Sequence, residues 1–142
     1  MKRKMMLVLM SALTLSIFAQ KTITVANDGS GDYTTIQAAI DAVAEGEEAT
    51  IKVKAGTYEG MVKIGTRQKP STKKISMIGE GMDKTVITAA NGKNTIGSGK
   101  DVRDYATLAV FAPDFYAQDL CVQNTGGKAA GQALALHLDG DR

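Results

Sequence analysis

Tryptophan is absent from the 142-residue chain, and three phenylalanines and four tyrosines are all its other aromatic carbocycles. So few flat rings argue against a base-stacking platform for nucleic acid and against a finished sugar site built on ring stacking. The single cysteine, Cys121, excludes an intrachain disulfide and a cysteine-based metal centre. With His137 as the one histidine, a Ser-His-Asp or Cys-His arrangement must use it or not exist. Its place inside the apolar stretch Ala133–Leu138 reads as packing or surface rather than catalysis. Charge of either sign is hardly in excess: 17 Lys and Arg against 15 Asp and Glu leave +2, scattered without a basic stripe. Nothing here calls for nucleic acid. What is present, 44% hydrophobic residues in 142, suits one globular domain.

The N-terminus reads as a targeting segment. Lys2-Arg3-Lys4 supply a positive start, Met5–Phe18 an apolar run, and Ala19 a small residue before a cut at Gln20. The run is short for a membrane span of about 20 residues. Residues 1–19 are therefore expected to be a signal peptide, with export (secreted or periplasmic) and no membrane attachment after cleavage. Residues 20–142 form the domain.

Within that domain Thr22-Ile23-Thr24-Val25 alternates as a first strand, broken by the turn formers Asn27–Asp32. That loop lacks the ligand series and closing Glu of an EF-hand, so no metal is expected there. Thr34-Thr35-Ile36-Gln37 fits a capping box with Thr34 as cap and Gln37 three residues on. Ile36, Ala39, Ile40 and Val43 follow at helical spacing, and Gly46 ends the helix. One amphipathic helix ahead of many strands can cover the open end of a strand stack and hide its backbone edge.

From Thr50 short strands alternate with glycine corners. Ile51–Lys54 turns at Ala55–Tyr58 and returns as Met61–Ile64; Ile75–Ile78 turns at Gly79-Glu80-Gly81 and returns as Thr85–Thr88; Leu108–Phe111 turns near Pro113-Asp114 and returns as Leu120–Val122. The spacing from Ile51 to Val62 equals that from Ile75 to Val86, and Leu108 to Leu120 is one longer. Recurring strand-corner-strand units predict an all-β coil of stacked rungs, a parallel β-helix with one N-terminal capping α-helix. The competing reading is a β-sandwich, against which tight two-residue hairpin turns are missing.

The one credible catalytic side chain is Gln132. A neutral amide beside the glycine turn at Gly131, opening the strand Ala133–Leu138, can aim its NH2 at an oxygen that turns negative during reaction. Strict alternation, however, puts Gln132 on the same face as Leu134, Leu136 and Leu138, so a bend or bulge must turn it outward.

These residues resemble a known family. Asp28-Gly29-Ser30-Gly31-Asp32-Tyr33-Thr34-Thr35-Ile36-Gln37-Ala38-Ala39-Ile40, Gly56-Thr57-Tyr58 and Ile78-Gly79-Glu80-Gly81 look like the opening of pectin methylesterases. Asn124-Thr125-Gly126-Gly127, Gln132-Ala133-Leu134-Ala135-Leu136 and Gly140-Asp141-Arg142 are more specific to them. The resemblance covers nearly all of residues 20–142, but only the N-terminal part of the family's domain. It implies a right-handed parallel β-helix, an exported carboxylic-ester hydrolase, methyl-esterified pectin (polygalacturonate) as substrate, no cofactor, no metal and a monomer. It further implies an attacking Asp, a second Asp as acid then base, two oxyanion-holding glutamines, and an Arg and a Trp for the sugar. Gln132 matches the first glutamine; the others lie, in the family, beyond Arg142, so the chain alone is expected to be inactive and only marginally stable. Gly60 stands where the family has a Glu, and counting back to a substrate-contacting Thr lands near Val102, with Thr107 in a different part of the pattern. Asp139 and Asp141 follow Gln132 too closely to face it across a cleft. The rival functions are another β-helix polysaccharide enzyme, such as a calcium-dependent lyase, and a non-catalytic carbohydrate-binding β-helix.

Overall fold

A computed structural model describes residues 20–97 and 99–140. The leader read in residues 1–19 lies outside them, as do Asp141 and Arg142.

The strands are β1 (Lys21–Val25), β2 (Glu48–Val53), β3 (Gly56–Glu59), β4 (Val62–Ile64), β5 (Lys74–Ile78), β6 (Thr85–Ala89), β7 (Leu108–Val110), β8 (Tyr116–Gln118), β9 (Cys121–Asn124) and β10 (Leu136–Leu138). They sort into three sheets ordered β1-β2-β5-β8, β3-β6-β9 and β4-β7-β10. Every pairing among them is parallel. The chain therefore winds through three walls in turn, with β2-β3-β4, β5-β6-β7 and β8-β9-β10 as successive coils. This is the parallel β-helix expected, and it removes the sandwich, which needs antiparallel partners.

Period-two alternation puts one side chain in two inside the coil, and parallel register stacks like positions directly over one another. Ile23, Ile51 and Met77 make one column, Tyr58, Ile87 and Val122 another, and Val62, Leu108 and Leu136 a third. Ile51, Met77 and Ile87 have no exposed surface, and each such side chain contributes about 1.5–3 kcal/mol by leaving water. Outside, Thr50, Lys52, Lys63 and Gln118 meet solvent.

The internal arithmetic of the coil differs from the expectation in one respect. Gly56–Glu59 is a strand of the second wall rather than a corner, and Tyr116–Gln118 is a strand where a turn was expected. Each coil thus has three strands, and the equal spacings Ile51 to Val62 and Ile75 to Val86 join unlike positions: the first runs from β2 to β4, the second from β5 to β6. A four-residue strand holding one glycine and one buried side chain, Tyr58, carries too little alternation to register as a strand on its own.

The helix α1 (Ile36–Asp41) buries Ile36, Ala39 and Ile40, and Val43 beyond it is buried too. Its N-cap is Thr35, not Thr34: the Thr35 hydroxyl accepts from the Ala38 N–H at 3.2 Å. It ends at Asp41, capped by Ala42, well before Gly46. Gln37 makes no capping box. Its Oε1 instead accepts from the Lys63 N–H (2.8 Å) while its Nε2 donates to the Lys63 carbonyl (3.0 Å). One side-chain amide thereby pairs both backbone groups on the free edge of β4, as a neighbouring strand would. The helix hides an edge as expected, but through a residue assigned a different job.

At the other end of the coil the inward positions stay open. Leu136 and Leu138 remain 46% and 56% exposed, and Leu108, Phe115, Leu120 and Val122 line a hollow of about 480 Å³ with them. Burial in the coil is thus graded along its axis, and substitutions should follow the gradient. Ile51→Ala is expected to lower unfolding free energy by about 3 kcal/mol and Leu138→Ala by under about 1 kcal/mol, read by urea denaturation; equal costs would contradict this gradient.

A second prediction concerns a tie between corners. The Glu45 carboxylate accepts from the Thr72 N–H (2.6 Å), the Thr72 hydroxyl (2.9 Å) and the Ser71 hydroxyl (3.0 Å). These bonds, the Thr72 N–H foremost, hold its pKa below the ordinary 4.5. A depressed carboxylate stabilises the fold above its unfolded pKa and loses that contribution as pH falls through the folded value. Glu45→Gln should therefore lower Tm at pH 7, and the gap to the parent should close as the buffer is taken below about pH 4; a gap that persists or widens in acid would refute the tie.

Candidate functional site

The connections between the second and third walls are residues 60–61, 90–107 and 125–135. The last two follow paired strands, β6 beside β9 and β7 beside β10, so they stack as successive layers of one corner. Lys93 N–H donates to the Gln132 carbonyl (2.8 Å), Asn94 Nδ2 to the Ala129 carbonyl (3.1 Å), and Thr125 N–H to the Ala89 carbonyl (2.8 Å). The contact is close because Gly92 lacks a side chain: a Cβ there would collide with the Ala130 backbone.

Asn124, last in β9, braces the corner from within. Its Nδ2 donates to the Asn91 carbonyl (2.8 Å) and the Leu134 carbonyl (3.1 Å), and its Oδ1 accepts from the Gly126 N–H (2.9 Å). One amide joins both layers and also closes the turn after itself. In the sequence Asn124 is only the first letter of Asn-Thr-Gly-Gly; the one hint of its role is a turn-forming Asn at a strand end ahead of two glycines.

Gln132 lies in this corner, exposed, in the loop that precedes β10. Its backbone is held by Lys93, and among the described residues no hydrogen bond engages its side-chain amide. The strand read as Ala133–Leu138 is only Leu136–Leu138, and Gly131 before Gln132 sits at φ +71°. Alternation therefore does not extend back to Gln132, which is exposed in the loop while Leu136 and Leu138 take inward positions. Leu134 leaves the leucine face as well: it packs outside the wall on Ala106, Ala109 and Phe111.

His137 occupies the outward row Lys63, Ala109, His137 of the third wall. Its ring is tilted against Phe111 with centroids 5.2 Å apart, and Nε2 is buried without a partner among the described residues. It is a packing residue, as its place in the strand suggested. Thr107 is buried, its hydroxyl donating to the Gln123 carbonyl (3.0 Å), so it cannot meet a substrate. Val102 opens a 3-10 turn, Val102–Tyr105, and is half-buried. Asp139 is exposed at the opposite end of β10 from Gln132.

That 3-10 turn concentrates charge. Asp101 accepts from the Arg103 side chain and N–H and pairs with Arg67 (2.7 Å), which hold its carboxyl far below the usual range, Arg103's side chain above all. Asp101 in turn raises Arg103, with Asp104 and Asp139 adding to the effect. Among the described residues no three His, Cys, Asp or Glu side chains gather to hold a metal ion. In the Asn27–Asp32 loop the carboxylates serve the backbone: Asp28 accepts from the Ser30 N–H and Asp32 from the Thr24 N–H. Among the described residues no helix is long and apolar enough to cross a membrane. Chemically, the corner offers an amide donor fixed at its backbone on an exposed wall.

Comparison with known proteins agrees with this architecture. A pectinesterase/pectinesterase inhibitor of Ficus pumila var. awkeotsang is 38% identical over 130 residues, covering 90% of this chain and 23% of that protein. Among solved structures, the pectin methylesterase from carrot superposes with a TM-score of 0.71 at 36% identity, over 89% of this chain and 38% of the other. A pectin methylesterase mutant crystallised with a hexasaccharide superposes with a TM-score of 0.69 at 25% identity, over 87% and 41%. The chain thus spans well under half the length of each. Residues 22–142 match the model of the pectinesterase family, and the chain belongs to that family.

Proposed function

We propose that residues 20–142 are the N-terminal coils of an exported pectin methylesterase, in which Gln132 donates a hydrogen bond to the oxyanion formed when a galacturonate methyl ester is attacked. The observation that carries this is that Gln132 is exposed in the corner loop, anchored through its backbone by Lys93, with no intramolecular bond to its side chain among the described residues. Ester hydrolysis needs a nucleophile, a proton shuttle and such a donor. By the family resemblance the attacking and proton-transferring aspartates belong to coils that follow Arg142. Methyl-esterified polygalacturonate is the partner on this reading, methanol and a free carboxylate the products, with no cofactor and no metal.

The chain by itself is then expected to release no methanol from pectin, while its fusion to the later coils of the carrot pectin methylesterase should do so. In that fusion Gln132→Ala should lower kcat about a hundredfold or more, roughly 3 kcal/mol, with a much smaller change in KM. An unchanged kcat would remove Gln132 from the mechanism, and pectin binding by a fusion that never releases methanol would favour a binding module instead.

Export is proposed from the leader in residues 1–19. Expressed in a Gram-negative host, the chain should reach the periplasm or medium with Gln20 as its first residue by N-terminal sequencing. A product that keeps Met1 and stays in the cytoplasm would contradict it.

A further inference from the structure

With no hydrogen bond to its side chain among the described residues, Gln132 is held in the corner through the backbone on either side of it. Both arms of that hold lead back to Asn124. One runs through the 90–107 connection. Asn124 Nδ2 donates to the Asn91 carbonyl (2.8 Å), just ahead of Gly92, the cap of the short helix α2 (Lys93–Ile96). The Thr95 hydroxyl accepts from the Gly92 N–H (2.8 Å), which closes the first turn, and the Lys93 N–H has no partner within so short a helix. That N–H is the group that donates to the Gln132 carbonyl (2.8 Å). The other arm is direct: Nδ2 also donates to the Leu134 carbonyl (3.1 Å), which accepts from the Thr107 N–H as well (3.2 Å).

Asn124 is itself fixed. It ends β9 in parallel register with Ala89, and its Oδ1 accepts from the Gly126 N–H (2.9 Å). The turn so closed sets Gly126 against Ala130: a Cβ on Gly126 would stand 2.7 Å from the Ala130 Cβ. Ala130 is buried, with Gly92 against it from the other layer. A short side chain with two N–H groups and one carbonyl is needed here, and all three are used. Aspartate would supply the acceptor and neither donor. The carbonyls that Asn124 holds lie two residues from Gln132 on one arm, and two residues from Lys93, which binds Gln132, on the other.

We propose that Asn124 is a positioning residue for Gln132, fixing from both sides the loop that presents the oxyanion donor. The proposal rests on the reading of Gln132 as that donor and adds what holds it in place. A donor already in position stabilises developing charge more than one that must be ordered as the reaction proceeds.

Asn124→Asp is the discriminating change, because it keeps the bond to the Gly126 N–H and loses both donated bonds. In the intact chain, amide exchange followed by NMR should show the Lys93 and Thr107 N–H groups exchanging about tenfold faster in the variant. The N–H groups of Ile51 and Ile87, on strands with a partner on each side, should keep their rates. Asn124→Ala, which adds no charge, should give the same pattern. Unchanged exchange at Lys93 overturns the proposal, and so does equal acceleration at all four positions, which makes Asn124 a residue of general stability only. In the fusion to the later coils of the carrot enzyme, Asn124→Asp should lower kcat about tenfold to a hundredfold with little change in KM. Gln132→Ala added to that variant should then cost far less than it costs alone, since a misplaced amide has little effect left to remove. Fully additive losses overturn the proposal and leave the oxyanion role of Gln132 standing. Gln132→Ala with no effect on kcat, or a fusion that releases no methanol, overturns both.

Discussion

Parallel register is the constraint from which the rest of this molecule follows. When a strand hydrogen-bonds to the one a full coil before it, side chains of like position are stacked a rung apart and must pack on their own kind. An inward position that is aliphatic in one coil has to be aliphatic in the next, which is why Ile23, Ile51 and Met77, or Val62, Leu108 and Leu136, recur at irregular distances along the chain but fall in line in space. The ladder also fixes the walls, and a wall fixes which side of it a corner loop must leave from. The position of the corner that holds Gln132 is inherited from that geometry rather than made by local contacts.

A ladder has an end, and its first strands present unpaired backbone. Two solutions sit side by side here. β1 adds a plain strand to the first wall, whereas at the third wall a single glutamine from α1 satisfies both groups of Lys63. An amide side chain carries the same donor and acceptor as a peptide, so it can stand in for a missing strand without supplying one. The same bonds hold the backbone of Lys63, whose side chain takes the outward row of the third wall.

Much of the architecture was legible in the residues. Alternating aliphatics, absent hairpin turns and glycine corners pointed to a stacked coil, and the Asn-Thr-Gly-Gly and Gln-Ala-Leu-Ala-Leu motifs fall at the corner that holds Gln132. What escaped was set by partners distant in sequence. Gly56–Glu59 is a strand because Thr85–Thr88 lies beside it, not because of its own pattern. The role of Gln37 depends on Lys63, and that of Asn124 on Asn91 and Leu134. The apparent leucine face of Gln132 dissolved for a related reason: periodicity assumes a continuous strand, and Gly131 and the loop after it break the count before Gln132 is reached.

The corners are unequal, and this shapes how such a protein can vary. Between the first and second walls, Gly79 lies so close to the Asp119 carbonyl of the next coil that even a methyl group would not fit, so the two backbones stay in direct contact there. Between the second and third walls, the connection lengthens from residues 60–61 to 90–107 and the added chain folds outward onto its neighbour in the following coil. Length varies at every corner, but the longest connection, residues 90–107, falls on the ridge that also carries Gln132, so the largest added stretch of chain is delivered beside that amide.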